Sequence, residues 1–221
     1  MPGLSGIRVV AAALLAVLAA ASLAACRTNV GTAATVNGER ISETSVTDYL
    51  SGKPPSSALV QQAKAAGQDL IAARVLVLQY EIEQRLYERT LRRNGGVPTS
   101  SQLGSIRDDA VSLLAGNGQP ITDAQLRTQF ENLGVSRSFV PRFLRTLELE
   151  YVVIRRLQLS QRSELSAAVT KAGAEVSASP RYGTWDAAEL SLRSTGAAGR
   201  PAYLTLQTPA AAAPSGAAGT P

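Results

Sequence analysis

The chain has 221 residues, 45% of them apolar and 18% charged, a composition that suits one globular domain with its own core. It contains no histidine and a single cysteine, which excludes Ser-His-Asp and Cys-His catalysis, cysteine-rich metal sites and an intramolecular disulfide. The net charge of +5 is spread along the chain without a basic, aromatic-interleaved run, so it favours residence near anionic lipid or wall polymer and not nucleic acid binding. We therefore expect a protein that is not an enzyme and that uses no cofactor and no metal.

Residues 1–25 have the pattern of a secretory signal peptide, with Arg8 as their only charged residue and an apolar run over Val9–Ala25. The run ends in LAAC, residues 23–26, which resembles the lipobox of bacterial lipoproteins. That resemblance implies cleavage after Ala25, acylation of Cys26 with chains such as palmitate, and attachment to the extracytoplasmic face of the cell membrane. Two alternatives are an uncleaved membrane anchor, for which this alanine-rich run is barely long enough, and a buried, inert cysteine.

The folded part is expected to begin with a β-hairpin, after a polar tether over residues 26–33. Asn37-Gly38 is a type I′ turn signal, and it separates two short strands, Ala34–Val36 and Glu39–Ile41. Ser42 is placed to cap a first short helix that extends through Leu50.

Hydrophobic periodicity predicts helices for most of the remaining domain. A second helical region starts around Ser57, loosens at Gly67 and continues to Arg93. Its apolar positions cover most of its circumference, which indicates a central, buried helix. The same helix carries two i,i+4 ion pairs in the favourable order, Glu81/Arg85 and Glu88/Arg92.

Capping boxes predict the next two helix starts, at Thr99/Gln102 and Thr122/Gln125. Further expectations are a helix from Thr99 that is broken by residues 116–120, a long helix capped by Ser138, a short helix over Ser163–Ala172, and a disordered tail over residues 193–221. The acidic pairs Asp108/Asp109 and Glu148/Glu150 are interpreted as solvated helix faces.

The stretch ATVNGERISETSV, residues 34–46, resembles the start of the folded part in the SurA/PrsA family of exported chaperones. The order of the later elements and the Val-Pro-Thr-x-x-Gln pattern at residues 97–102 are similar to the N-terminal region of that family, and SPRYGTWD at residues 179–186 is similar to a segment of its actinobacterial members. The resemblance covers residues 34–192. It implies a single, mainly α-helical domain whose small N-terminal hairpin pairs with a short strand near Glu175–Ala178, with Tyr182 and Trp185 over the joint.

The resemblance also implies a function, although the chain lacks a parvulin-type domain and prolyl isomerase activity is not expected. It implies a membrane-anchored, extracytoplasmic chaperone that binds unfolded or exported polypeptides in an apolar groove between helices. The candidate groove residues are the aromatic side chains of the helices: Tyr80, Tyr87, Phe130, Phe139, Phe143 and Tyr151. Core packing is the alternative role of each of them, and the alternative function is a cell-envelope scaffold or accessory lipoprotein that binds a specific partner.

Overall fold

The computed structural model describes residues 31–66, 72–115 and 121–193, and the side chains of all of these except residues 113–115. The predicted signal peptide, Ala25, Cys26, most of the tether, the loop over residues 116–120 and the tail from residue 194 lie outside the described residues.

The N-terminal hairpin is confirmed. Its strands are β1 (Thr32–Val36) and β2 (Glu39–Ser42). Asn37 and Gly38 have φ angles of 53° and 81°, and a type I′ turn requires positive φ at both central positions. Ser42 caps helix α1 (Glu43–Thr47), because its hydroxyl oxygen accepts a hydrogen bond from the backbone N–H of Ser45 at 3.0 Å.

The predicted pairing of this hairpin with a late strand is also confirmed. Strand β3 (Val176–Ala178) runs antiparallel to β1, with Val36 opposite Val176, and the sheet order is β2-β1-β3. The turn residue Asn37 extends the contact, since its N–H donates to the carbonyl of Glu175 at 2.7 Å and its side-chain oxygen accepts from the Glu175 N–H at 2.9 Å. The two ends of the domain are therefore joined by backbone hydrogen bonds.

The domain is mainly α-helical, as predicted. The described helices after α1 are α2 (Ser57–Ala65), α3 (Ala73–Arg93), α4 (Ser100–Gly104), α5 (Arg107–Ala115), α6 (Asp123–Asn132), α7 (Val140–Leu157) and α8 (Arg162–Lys171). The capping boxes of Thr99/Gln102 and Thr122/Gln125 are both present, at the starts of α4 and α6. Among the described residues, no helix has the length and apolar character needed to cross a bilayer.

Helix α1 ends at Thr47, before the predicted Leu50, and two further helix boundaries differ from the predictions. The helix predicted from Thr99 is interrupted between α4 and α5, because the N–H of Ile106 bonds to the carbonyl of Leu103, three residues back, and tightens the turn. Ser138 does not cap α7, because a 3₁₀ turn over Arg137–Phe139 precedes the helix and Phe139 takes the N-cap position without a side-chain hydrogen bond. Ser136 caps the 3₁₀ turn, since its hydroxyl oxygen accepts from the Ser138 N–H at 3.3 Å.

Helices α3 and α7 form the centre of the body and run parallel. Arg142, near the start of α7, donates to the side-chain oxygen of Gln84 in the middle of α3 at 3.3 Å. Arg156, in the last turn of α7, donates to the carbonyls of Asn94 and Gly96 just beyond α3, at 3.0 and 2.6 Å. The α3/α7 interface is the largest between any two elements, and α3 is buried along most of its length.

A strand pair that the sequence did not predict lies at the C-terminal end of the described chain. Strands β4 (Thr184–Asp186) and β5 (Ser191–Arg193) are antiparallel, with Trp185 opposite Leu192. The pair places Leu190 and Leu192 in the hydrophobic core, so this segment belongs to the packed body.

Candidate functional site

Five of the six predicted groove residues are buried side chains of the core: Tyr80, Tyr87, Phe130, Phe139 and Phe143. The rings of Tyr80 and Phe130 both meet Phe143 edge to face, with centroids 5.0 Å apart in each pair, and Phe130 meets Phe139 in the same way at 5.5 Å. Helices α3, α6 and α7 each turn an apolar face inward, and the rings meet where those faces converge. These five side chains therefore present no accessible surface to a polypeptide.

Tyr151, the sixth predicted groove residue, lies apart from this cluster on α7 and is half-buried. Its hydroxyl donates to Asp109 over a long distance of 3.5 Å, and the guanidinium of Arg155 lies 5.9 Å from the ring centroid. Its surroundings are therefore charged and polar, unlike those of an apolar client site.

Few large apolar side chains of the described residues are exposed; others, such as Leu50, Ile121 and Leu157, are half-buried against the core. Val60, 45% exposed, is the single large hydrophobic residue that is exposed in the described part of the chain, and it lies on α2, a helix without any buried residue. A shallow depression of about 350 Å³ lies on the outer face of α6 and is lined by Ala124, Gln125, Thr128 and Gln129. It is formed by one helix and is not a groove between helices.

A buried ionic network joins α3 to α7. The carboxylate of Glu81 is fully buried and binds two cations, Arg85 Nη1 and Arg142 Nε, each at 2.7 Å. Arg85 also lies 3.4 Å from the exposed carboxylate of Glu39 in β2. The sequence identified Glu81 and Arg85 as an i,i+4 pair, and the structure shows that this pair belongs to the helix–helix interface.

The interpretation of Glu148 and Glu150 as a solvated face was wrong, because both side chains are buried. Glu148 accepts a hydrogen bond from Arg107 Nε at 2.7 Å, and this bond raises the pKa of the Arg107 guanidinium above its ordinary value. Glu150 lies 3.7 Å from Arg162. Neighbouring helices cover α7 on more sides than its own apolar stripe indicates. Glu148 therefore pairs with an arginine of α5, and Glu150 with an arginine of α8.

Tyr182, predicted to lie over the joint between the two ends of the domain, also contacts helix α1. Its hydroxyl donates to Glu43 Oε2 in α1 at 2.7 Å, and Arg181 forms an ion pair with the same carboxylate. Burial of the phenol, followed by its hydrogen bond to Glu43, raises the pKa of Tyr182 to about 12. Trp185 is half-buried beside the core. The sequence did not indicate Glu43, since a residue 139 positions away has no local signal.

Glu81 and Glu148 are ion-paired with arginine, and the described residues contain no cluster of acidic and cysteine side chains that could hold a metal ion. Comparison with family models, curated proteins and solved structures finds no match to this chain. The relation to SurA/PrsA chaperones therefore stays a prediction that rests on the quoted motifs.

Proposed function

We propose that this chain is a non-catalytic lipoprotein of the cell envelope, anchored to the membrane through Cys26, whose helical domain binds a defined protein partner as a scaffold or accessory subunit. The observation that carries this choice is the scarcity of exposed apolar side chains on the described residues, among which Val60 is the one exposed large hydrophobic side chain. A protein that captures unfolded chains needs an uncovered apolar patch, whereas a folded partner can be bound through charged and polar groups.

The energetics of the aromatic cluster support the same choice. Exposing the rings of Tyr80, Phe130, Phe139 and Phe143 to a client would require α3 and α7 to separate. Burial of about 150 Å² for each ring, at about 25 cal/mol per Å², corresponds to roughly 15 kcal/mol in total. This equals or exceeds the whole stability of a typical domain, about 5–15 kcal/mol. Client binding through these rings would therefore cost as much as unfolding.

Membrane attachment rests on the lipobox, residues 23–26. In cells grown with an alkyne-tagged palmitate, we expect the wild-type protein to be labelled and its intact mass to begin at Cys26. The Cys26→Ala variant is expected to carry no label and to keep residues 1–25 or leave the membrane fraction. A wild-type protein that carries no acyl group and retains residues 1–25 would contradict the lipoprotein assignment and favour an uncleaved anchor.

Aggregation of a denatured client distinguishes the proposed function from the chaperone function. We expect the chain to leave light scattering of the client unchanged at several-fold molar excess, in parallel with an established holdase that suppresses it. Suppression that increases with dose would refute the scaffold proposal and favour the chaperone.

Site-specific photo-crosslinking in intact cells tests for the defined partner. A crosslinker placed at the exposed positions Gln129 and Arg127 of α6, and at Val60 of α2, samples two faces of the domain. We expect a single discrete crosslinked species from at least one face. A broad distribution of products from every position would indicate many clients, which is the behaviour of a holdase.

A further inference from the structure

Three helices end side by side at one end of the domain. Arg156 of α7 donates to the carbonyls of Asn94 and Gly96, which directly follow α3. Arg89 of α3 donates through Nε to the carbonyl of Ala172, which directly follows α8, at 2.9 Å. The last turns of α3, α7 and α8 are thereby held together.

This end of the domain is strongly basic. Residues 88–96, 151–159 and 168–175 together carry six basic and two acidic side chains, a net charge of +4 (six minus two), in a chain with a net charge of +5. We call this surface the basic end; its cations are Arg89, Arg92, Arg93, Arg155, Arg156 and Lys171. Its carboxylates are Glu88, which pairs with Arg92 at 3.1 Å, and Glu175.

Two of these cations, Arg89 and Arg93, lie close together at the end of α8. Guanidinium nitrogens of Arg93 and Arg89 lie 3.4 and 3.6 Å from the position that a Cβ atom on Gly173 would occupy. Arg93 and Lys171 are exposed, and neither they nor Arg89 form an ion pair with any carboxylate of the described chain. Two arginine side chains thus meet over the backbone of Gly173, and neither is paired with a carboxylate of the described residues.

Compensation of the helix dipoles accounts for only part of this charge. A helix C-terminus carries the equivalent of about half a negative charge, so three of them offset about −1.5 against the net +4 of the basic end. A surplus of about two positive charges or more remains on the surface. Guanidinium groups bind phosphate through two parallel N–H donors, so a phosphate-bearing anion is the chemical complement of this surface.

We propose that the basic end binds the headgroups of anionic phospholipids, so that the domain docks on the membrane to which it is tethered. This inference rests on the membrane anchoring proposed above. Strand β1 starts at Thr32, so the predicted tether shortens to six residues, 26–31, and spans at most about 21 Å when extended, less than the 21-residue helix α3, about 31 Å at 1.5 Å per residue. The domain is therefore kept close to a surface whose negative potential extends about 8–10 Å into solution. Docking would place the C-terminal ends of α3 and α7 at the membrane and leave their N-terminal ends facing the partner.

Hydrogen–deuterium exchange of the full-length protein in vesicles tests the proposal. The protein is reconstituted in phosphatidylcholine alone or in a mixture with phosphatidylglycerol, at low and high salt. We expect amide exchange over residues 94–96 and 172–175 to slow by about fivefold or more in the anionic vesicles, as each cation near an anionic surface contributes about 1 kcal/mol, a factor of about five. High salt should abolish the difference, because it shortens the screening length to about 3 Å.

A matched pair of double variants assigns the effect to the basic end. Arg93→Gln with Lys171→Gln removes two exposed cations that form no ion pair in the described chain, and should abolish most of the protection. Arg127→Gln with Lys64→Gln removes the same charge from α6 and α2 and should leave the protection unchanged.

Each outcome separates the docking from the anchoring. Flotation with phosphatidylcholine vesicles reports the anchor, and the difference between the two vesicle types reports the basic end. Equal exchange in both vesicle types, or full protection in the Arg93/Lys171 variant, would overturn the docking and leave the anchor standing. Protection by soluble polyphosphate but not by phosphatidylglycerol would also overturn it, and would identify the occupant as an anionic polymer. Flotation with anionic vesicles alone would support the docking and contradict the anchor.

Discussion

Replacement of Glu81 by glutamine should be far more destabilising than the same change at Glu88, although both residues start an i,i+4 pair with arginine on α3. Glu81 is 0% exposed and binds Arg85 and Arg142, which lie on two different helices. Glu88 is 19% exposed, and its partner Arg92 is 63% exposed. The two substitutions are equal in chemistry and in the spacing of the pair that they remove, and they differ chiefly in burial.

The magnitude follows from the partners that are left behind. In the Glu81→Gln variant, a neutral amide would face two guanidiniums, 21% and 34% exposed: Arg142 would lose its carboxylate partner, and Arg85 would keep only the exposed Glu39. Removing one partner of a buried ion pair costs about 3–5 kcal/mol, and the partial exposure of both arginines places Glu81→Gln near about 3 kcal/mol. Loss of the exposed Glu88 pair costs about 0.3–0.5 kcal/mol.

Urea unfolding measures both costs through the fluorescence of Trp185, the only tryptophan of the chain, which lies half-buried in β4. With a slope of about 2 kcal/mol per M, Glu81→Gln should lower the midpoint by about 1.5 M, and Glu88→Gln by about 0.2 M. Equal shifts of the urea midpoint in the two variants would contradict the claim that burial sets the cost. So would a cost below about 1 kcal/mol for Glu81→Gln with an unchanged slope, since neutralising a fully buried, doubly paired carboxylate should cost several times more.

Two further changes are predicted to act on the fold. Gly134→Ala should cost about 2–3 kcal/mol of unfolding free energy in urea, because Gly134 has a φ of 81° and a Cβ atom there would lie 2.7 Å from the carbonyl oxygen of Lys53. The control Gly52→Ala, at a φ of 70° with open space around it, should cost about 1 kcal/mol. Equal costs for the two variants would contradict the steric argument. The pKa of Tyr182, raised from 10.0 to about 12, predicts stabilisation that is complete below pH 10 and is lost as the pH rises through about 12. Tyr182→Phe should lose the hydrogen bond to Glu43, worth about 1.5–3 kcal/mol, and its free energy of unfolding should depend less on pH above pH 10. An unchanged pH dependence of the free energy of unfolding would show that groups other than Tyr182 cause it.

The features that could be predicted from the sequence depend on contacts within a few residues. Both capping boxes join residues three positions apart, and the turn at Asn37-Gly38 depends only on the tolerance of positive φ at those two positions. The position of α3 at the centre of the body was also predicted, because apolar residues around most of its circumference leave it no solvated face. The pairing of β1 with β3 was an exception among long-range contacts, since it came from the resemblance to a known order of elements.

The candidate site is where local patterns failed. The aromatic residues proposed as a groove follow helical spacing, and that spacing is the same for a side chain in a groove and for one in a core. Which of the two occurs depends on whether another helix covers that face, and here α3, α6 and α7 cover one another. The strands β4 and β5, three residues each, were missed because they are too short for an alternating pattern to be visible.

The helical class, the hairpin and the capping boxes could be read from the chain alone, because each of them depends on a short run of residues; the lipid attachment at Cys26 stays a prediction. Packing alone shows that Glu81 and Glu148 are buried, that the aromatic rings lie inside the core, and that basic residues of three separate helices lie at one end. The physical reason is that burial and charge density depend on which distant segments pack together. The spacing of residues within a single helix does not show which distant segments will pack against it.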